Sequence, residues 1–115
     1  MEIAHLGKEK GVTVIAVKGR IDSITSSEFD RTIEQWLNAG ENSFILNLGE
    51  LDYISSAGLR SILAMGKKLK AAKGSLKVVS LKGIVKEVFD IAGFSSIFPL
   101  FVSAEDALKN TEETG

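Results

Sequence analysis

The chain contains no cysteine and only one histidine among its 115 residues. Without cysteine it can form neither a disulfide bond nor a cysteine-ligated zinc site, and no thiolate can act as a nucleophile. The single histidine, His5, lies in or near a predicted strand and has no serine or acidic pattern around it. We therefore expect His5 to be a hydrogen-bonded structural residue rather than a catalytic base.

Long apolar runs and a strong net charge are also missing. No hydrophobic stretch reaches the ~18 residues that a membrane span needs, and the chain begins with Met1-Glu2 rather than with a basic segment. The formal net charge of −1 gives no general attraction to nucleic acid or to anionic lipid. We therefore expect a cytoplasmic monomer with no direct nucleic-acid contact and no membrane contact.

Short apolar runs of strand-forming residues recur along the chain. They predict five strands, at residues 2–6, 12–19, 44–48, 76–80 and 97–101. The short link between the first two predicts an antiparallel hairpin, and helical patterns separate the later strands. This alternation predicts parallel pairing with right-handed crossovers. The expected fold is a single α/β domain at residues 1–110, with a mixed, mostly parallel sheet of about five strands and about four helices. A short polar tail follows at residues 111–115.

The first helix has a recognisable start in the sequence. Thr25 and Glu28 have the spacing of a capping box, in which the hydroxyl caps the backbone and the carboxylate reaches back. Ile24 and Phe29 stand at the two positions of a hydrophobic staple around this box. The sequence therefore predicts that Thr25 is the capping residue of this helix.

Two adjacent hydroxyl groups, those of Ser55 and Ser56, lie where the third predicted strand leads into the second helix. The first N–H groups of a helix have no partner within it, so either serine is suited to cap them, and most serines in this position are only caps. The same position is the positive end of the helix dipole, where an added phosphate group is stabilised. Arg60, one turn into the helix, is close enough to pair with such a phosphate.

The loop after the second strand is expected beside these serines. The carboxyl ends of parallel strands share one edge of a sheet, so residues 19–23 and 52–57 should form one contiguous surface. Asp22 lies in the first of these segments. Taken alone, an aspartate in such a loop is more often a turn or cap residue than a functional one.

Patterns that carry enzymatic chemistry are absent. The chain has neither a Walker loop nor a Gly-x-Gly-x-x-Gly motif, so no known cradle for nucleotide phosphates is encoded. The segment Ser55-Ser56-Ala57-Gly58 places serine between a strand and a helix, as a nucleophile elbow does, but it lacks the leading glycine and no histidine follows it. We predict no enzymatic activity, no catalytic residue, no metal site and no cofactor.

Three segments form an ordered set of motifs. They are Gly19-Arg20-Ile21-Asp22, Asp52-Tyr53-Ile54-Ser55-Ser56-Ala57-Gly58-Leu59-Arg60, and the stretch from Ser80 that ends in Phe89-Asp90-Ile91-Ala92-Gly93-Phe94. This set resembles the signature of STAS domains, the family of bacterial anti-sigma factor antagonists. In that family the serine two positions before the loop glycine carries a regulatory phosphate, which corresponds to Ser56 here. Ser55 stands where the family has an acidic residue, and Ala57 replaces a second hydroxyl, so Ser55 is the rival acceptor.

The resemblance implies a regulatory function. The unphosphorylated protein would bind an anti-sigma factor that is also a serine kinase and thereby release the sigma factor. Phosphorylation of Ser56 would switch this binding off, and a separate serine phosphatase would restore it. The implied partner-binding residues are Asp22, Ser23, Asp52, Tyr53, Ser55, Ala57, Gly58, Leu59 and Arg60. The alternatives are a STAS module of another signalling assembly and a regulatory domain that binds a small ligand.

Overall fold

The computed structural model describes the backbone of residues 1–114 and the side chains of residues 1–109. Its strands are β1 (Glu2–Glu9), β2 (Val12–Ile21), β3 (Ser43–Ile54), β4 (Ser75–Val79) and β5 (Leu100–Phe101). They form one sheet in the order β1-β2-β3-β4-β5. β1 is antiparallel to β2, and every other neighbouring pair is parallel. The predicted α/β fold with an opening hairpin is confirmed.

In the described part of the chain, four α-helices connect or follow the strands. They are α1 (Thr25–Asn38), α2 (Ser56–Ala71), α3 (Gly83–Ile91) and α4 (Ala104–Thr114), and a short 3₁₀-helix at Phe94–Ser96 follows α3. The helix α4 extends into the polar tail that was predicted at residues 111–115. Gly115 itself lies outside the described residues.

The sheet separates two apolar clusters. Helices α1, α2 and α3 connect successive parallel neighbours, and all three bury side chains in the large cluster, so they pack on the same face. Ile15, Leu46 and Val78 point into the large cluster beneath these helices. Ile45 and Val79, one position away along their strands, belong to the smaller cluster beneath α4. Because successive side chains of a strand point to opposite faces, the sheet buries apolar side chains on both of its faces.

β3 is longer than predicted. The predicted strand ended at Leu48, whereas the structure continues it to Ile54. The buried residues of this second half, Leu48, Leu51 and Ile54, are three residues apart instead of two. The register between β2 and β3 shifts twice over this stretch, which lets the strand bury side chains at that spacing. Because β3 reaches Ile54, Ser55 follows the strand directly.

β5 is shorter than predicted. The prediction began it at Ile97, but the strand comprises only Leu100–Phe101 and pairs with β4 alone, at the edge of the sheet. Ile97 is 51% exposed, whereas Phe98 is 6% exposed and packs into the large cluster. Burial of Phe98 beneath α2 therefore holds this segment out of the strand.

The predicted capping box is wrong. Thr25 is the first residue of α1, and the carboxylate of Asp22 accepts the backbone N–H groups of Ile24 and Thr25 at 3.0 Å each. The hydroxyl of Thr25 accepts the N–H of Asp22 at 2.9 Å and donates to the carbonyl of Arg20 at 2.9 Å. Ile24 is 82% exposed, so it forms no staple. Asp22, which precedes the N-cap residue Ile24, thus satisfies two N–H groups at the start of α1, since its short side chain reaches both.

His5 is held in place by hydrogen bonds and by packing against an aromatic ring. Its Nε2 atom lies 2.9 Å from Oε1 of Glu41, and its Nδ1 atom accepts the backbone N–H of Gly7. The ring also packs edge-on against Trp36, with 5.2 Å between centroids. The hydroxyl of Thr13 donates to the same Glu41 carboxylate. This hydrogen bond lowers the pKa of Glu41 most, and the hydrogen bond to His5 lowers it further. Both ring nitrogens of His5 therefore have partners, as a structural histidine requires.

Candidate functional site

β2 and β3 end side by side at the carboxyl edge of the parallel strands. Ile21 pairs with Ile54 in the register of the sheet, and the backbone N–H of Ser55 donates to the carbonyl of Ile21 at 2.9 Å. The two segments that the sequence placed on one surface are thus hydrogen-bonded to each other. We call the loops at this edge, which follow β2, β3, β4 and β5, the serine rim.

Ser55 caps helix α2. Its backbone is extended, with φ −91° and ψ 174°, and its Oγ accepts the N–H of Gly58 at 3.3 Å. Its carbonyl accepts the N–H of Leu59 and so begins the helical hydrogen bonding. Of the two serines that could cap the helix, Ser55 does so, and its hydroxyl is held in this contact.

Ser56 is the first residue of α2, and its side chain is exposed. The first turn of the helix contains no acidic residue, so the partial positive charge of the helix end is not offset there. Arg60 lies four residues further on, which places it on the same side of the helix as Ser56. Arg60 is exposed and lines a groove of about 320 Å³ between α1 and α2, together with Asp30.

Gly58 is fixed by close packing against both strand ends. A Cβ atom there would lie 2.7 Å from Cγ1 of Ile54 and 2.8 Å from Cγ2 of Ile21. It would also lie 2.9 Å from the Ile21 carbonyl oxygen, a backbone atom that cannot move aside. Only glycine lets the first turn of α2 approach the sheet this closely, and this approach determines where Ser56 lies.

Arg20 joins the two segments through its side chain, and the sequence did not single it out as a site residue. Its guanidinium carbon lies 4.3 Å from the centroid of the Tyr53 ring, and its Nε lies 3.9 Å from Oδ2 of Asp22. The backbone N–H groups of Thr25 and Ile24, assisted by Arg20, lower the pKa of Asp22. The predicted strands ended before both Arg20 and Tyr53, so the sequence carried no signal for this cation–π contact.

The remaining predicted partner-binding residues differ in their environment. Ser23 and Asp52 are exposed, whereas Ala57 and Leu59 are half-buried and Leu59 packs against the large cluster. Within residues 1–109, no hydrogen bond or ion pair connects the Asp52 side chain to another residue of the site. The structure therefore brings Asp22, Tyr53, Ser55 and Gly58 into one connected unit and leaves Asp52 at its margin.

Exposed apolar side chains also lie on the serine rim. Ile24 follows β2, Ile84 lies in the first turn of α3 after β4, and Val102 follows β5, and all three are largely exposed. Sequence reasoning assigned Ile24 to a hydrophobic staple, so it missed the exposed apolar character of this surface. Exposed apolar groups beside polar ones are typical of a protein-binding surface.

In the residues that the structure describes, neither a metal site nor a membrane-spanning helix is found. Within residues 1–109, no group of three histidine, aspartate or glutamate side chains could hold a metal ion. None of the helices in the described part of the chain combines the length and the apolar character needed to cross a membrane.

A five-stranded sheet in sequential order, with an opening hairpin and a capped serine junction after its third strand, is the architecture of a STAS domain. The chain belongs to the STAS domain family, whose model matches residues 5–107.

Several relatives resemble nearly the whole chain. BtrV of Bordetella bronchiseptica, which carries the provisional name of an anti-sigma factor antagonist, is 39% identical over 102 residues, or 89% of this chain and 88% of BtrV. The crystal structure of an anti-sigma factor antagonist from Mycobacterium paratuberculosis has a TM-score of 0.82 at 25% identity and covers 95% of this chain and 93% of that one. SpoIIAA, an anti-sigma factor antagonist from Bacillus solved in unphosphorylated and phosphorylated forms, has TM-scores of 0.72 and 0.75. Both SpoIIAA structures are 18% identical to this chain and cover 96% of it; the matched regions make up 98% and 99% of the two SpoIIAA chains. At this level of identity, the similarity shows the shared fold.

Proposed function

We propose that the chain is an anti-sigma factor antagonist controlled by phosphorylation of Ser56. The unphosphorylated form binds an anti-sigma factor serine kinase at the serine rim and releases the sigma factor, and phosphorylation ends this binding. One observation carries the proposal: the Ser55 hydroxyl accepts the N–H of Gly58, whereas the neighbouring Ser56 side chain is exposed at the start of α2. The names of the relatives support the antagonist role.

A phosphate on Ser56 would be stabilised by its surroundings. The first turn of α2 offers the positive end of the helix dipole and contains no acidic side chain to repel the phosphate. Arg60 lies one turn further on, within reach of the phosphate oxygens, and a guanidinium binds such oxygens well. The modification therefore leaves the fold unchanged and alters only the charge of the surface.

This change of charge would weaken binding of the partner. Phosphorylation adds roughly −1.5 to −2 charges at the centre of the proposed interface. Burying that charge against a partner costs desolvation and like-charge repulsion, and a loss of about 3 kcal/mol weakens binding more than a hundredfold. The exposed side chains of Ile24 and Tyr53 would supply apolar contact beside the switch.

The chain acts as the substrate of the kinase and performs no chemistry itself in this scheme. The kinase brings its own ATP and Mg²⁺, so the chain needs no cofactor. A separate serine phosphatase removes the phosphate, and the exchange takes place in the cytoplasm. The residues that contact the kinase are those of the serine rim around Ser56, with Asp22 and Tyr53 held together through Arg20.

Reconstitution of the exchange tests this function. The anti-sigma factor kinase is loaded with a fluorescently labelled sigma factor, and the release of the label is followed by fluorescence anisotropy as the chain is added. We expect the unphosphorylated chain to displace the sigma factor and the phosphorylated chain to leave it bound. Ser56→Ala should displace it whether or not ATP is present. Equal displacement by the phosphorylated and unphosphorylated chains would overturn the proposal.

A further inference from the structure

A second concave surface lies at the opposite end of the sheet from the serine rim. It is a groove of about 510 Å³ between the second half of α2, the start of β4 and the segment that precedes β5. Its volume is within the range of small-molecule sites. One wall is a single face of α2, with residues spaced by three or four positions, and the segment before β5 forms the other. The wall residues used below are Leu63, Gly66, Lys67, Lys70, Ile97 and Phe98.

The groove has an apolar floor that depends on a glycine. A Cβ atom on Gly66 would lie 2.4 Å from Cε1 of Phe98, so the phenyl ring packs directly against the helix backbone. Phe98 is almost fully buried, whereas half of the Ile97 side chain is exposed along the groove. Leu63 completes the apolar surface from the side of α2.

Two lysines give this groove a positive charge. Within residues 1–109, no acidic residue lines the groove, and neither Lys67 nor Lys70 forms an ion pair. The adjacent Lys68, by contrast, pairs with Glu34 at 2.8 Å. Lys77 also borders the groove, but its ammonium group donates to the carbonyl of Ala107 at 3.3 Å on the α4 side. Lys67 and Lys70 are therefore the cations available to a bound ligand.

We propose that this groove binds a small amphipathic anion with one unbranched alkyl chain, such as a medium-chain carboxylate. The alkyl chain lies along Leu63, Gly66 and Phe98, and the carboxylate lies between the ammonium groups of Lys67 and Lys70. The helix face from Leu63 to Lys70 is roughly 10 Å long, which suits one extended chain of medium length. The site is at the other end of the sheet from Ser56, so it is independent of the proposed function.

Titration with decanoate below its micelle concentration tests the proposal, with calorimetry for affinity and amide chemical shifts for location. We expect saturable binding to one site, with shifts at Gly66, Gly74 and Ile97. Octanoate, which is two methylenes shorter, should bind roughly tenfold more weakly. Decyltrimethylammonium, which has the same chain and the opposite charge, should not bind. Absence of saturable binding, equal affinity for the anion and the cation, or shifts confined to another surface would each overturn the proposal.

A pair of double variants distinguishes binding in the groove from a general attraction to positive surface charge. Lys67→Gln with Lys70→Gln should weaken decanoate binding about tenfold or more, because both cations are removed. Lys68→Gln with Lys73→Gln removes the same charge from α2 and the turn that follows it, at residues that do not line the groove, and binding should be unchanged. Both variants alter exposed side chains only, and an unchanged unfolding midpoint verifies their fold. An equal loss of binding in both variants would contradict the assigned site. Phosphorylation of Ser56 is measured separately, so failure of either proposal leaves the other testable.

Discussion

Gly58 lies so close to Ile21 that a Cβ atom on the glycine would be 2.8 Å from Cγ2 of Ile21 and 2.9 Å from its carbonyl oxygen. The same carbonyl oxygen accepts the N–H of Ser55. The end of β2 and the first turn of α2 are therefore joined by close packing and a hydrogen bond into one unit. The exposed Ser56 hydroxyl has a defined position on this unit, between the capping serine and the close-packed glycine.

The first prediction concerns this close packing. Gly58→Ala should lower the free energy of unfolding by about 1–3 kcal/mol, because the added methyl group overlaps the backbone of β2. The clash should outweigh the gain of about 1 kcal/mol that alanine normally gives within a helix. Urea unfolding measures the difference, with Ser56→Ala, an exposed change in the same turn, as a control that stays within about 0.5 kcal/mol. A Gly58→Ala protein as stable as the wild type would contradict the close contact.

The second prediction separates the structural serine from the regulated one. Ser55→Ala should cost about 1 kcal/mol of stability, because it removes the acceptor for the N–H of Gly58. Ser55→Asp retains an acceptor and should recover most of the loss. Thermal unfolding of these variants and of Ser56→Ala compares the two positions directly. If Ser56→Ala were the more destabilising change, the capping assignment would be reversed.

The third prediction concerns pH. Backbone N–H groups of Thr25 and Ile24 hold the pKa of Asp22 below its ordinary value of 3.8. A carboxyl whose pKa is lower in the folded state stabilises the fold above its unfolded-state pKa, and this contribution is lost as pH falls through the folded-state pKa.

Asp22→Asn tests this pH dependence, because asparagine retains a hydrogen-bond acceptor but carries no charge. The wild type should be more stable than the variant at neutral pH, and the difference should shrink as pH falls below about 4. Urea unfolding at a series of pH values measures it. A difference that is constant from neutral pH to pH 3 would show that the charge of Asp22 contributes nothing.

The fourth prediction concerns the charge mechanism at Ser56. Ser56→Asp should weaken binding to the anti-sigma factor kinase roughly tenfold or more, since even one negative charge must be desolvated in the interface. Ser56→Asn has nearly the same shape without the charge and should bind like the wild type. Calorimetry on the two variants isolates the charge from the size of the side chain. Equal affinities for Asp and Asn would argue for a steric switch.

Much of this fold could be predicted because its periodic elements are regular. The short link between the first two strands predicted the antiparallel pair, and the alternation of strands with helices predicted the parallel ones. The shared edge of parallel strands predicted that the segments of Asp22 and Ser56 would meet. The capping residue of α2 was left open between Ser55 and Ser56, since serine is a good cap at either position. The extended backbone of Ser55 and its bond to Gly58 decide between them.

The errors arose where tertiary contacts outweighed local patterns. Thr25 and Glu28 matched a capping box, but the Asp22 carboxylate accepts the N–H of Thr25 that the Glu28 side chain would accept in such a box. The second half of β3 lacks an alternating pattern because its register with β2 shifts, so it was predicted to be a loop. Contact between Arg20 and Tyr53 depends on strand register, which the sequence does not specify.

The most direct test of the central claim is the mapping of phosphate after incubation with the anti-sigma factor kinase and ATP. Intact-mass analysis and fragmentation of the modified peptide should find one phosphate on the wild type, located on Ser56. Ser55→Ala should still accept it, and Ser56→Ala should accept none. Phosphate on Ser55, or full incorporation into Ser56→Ala, would contradict the account.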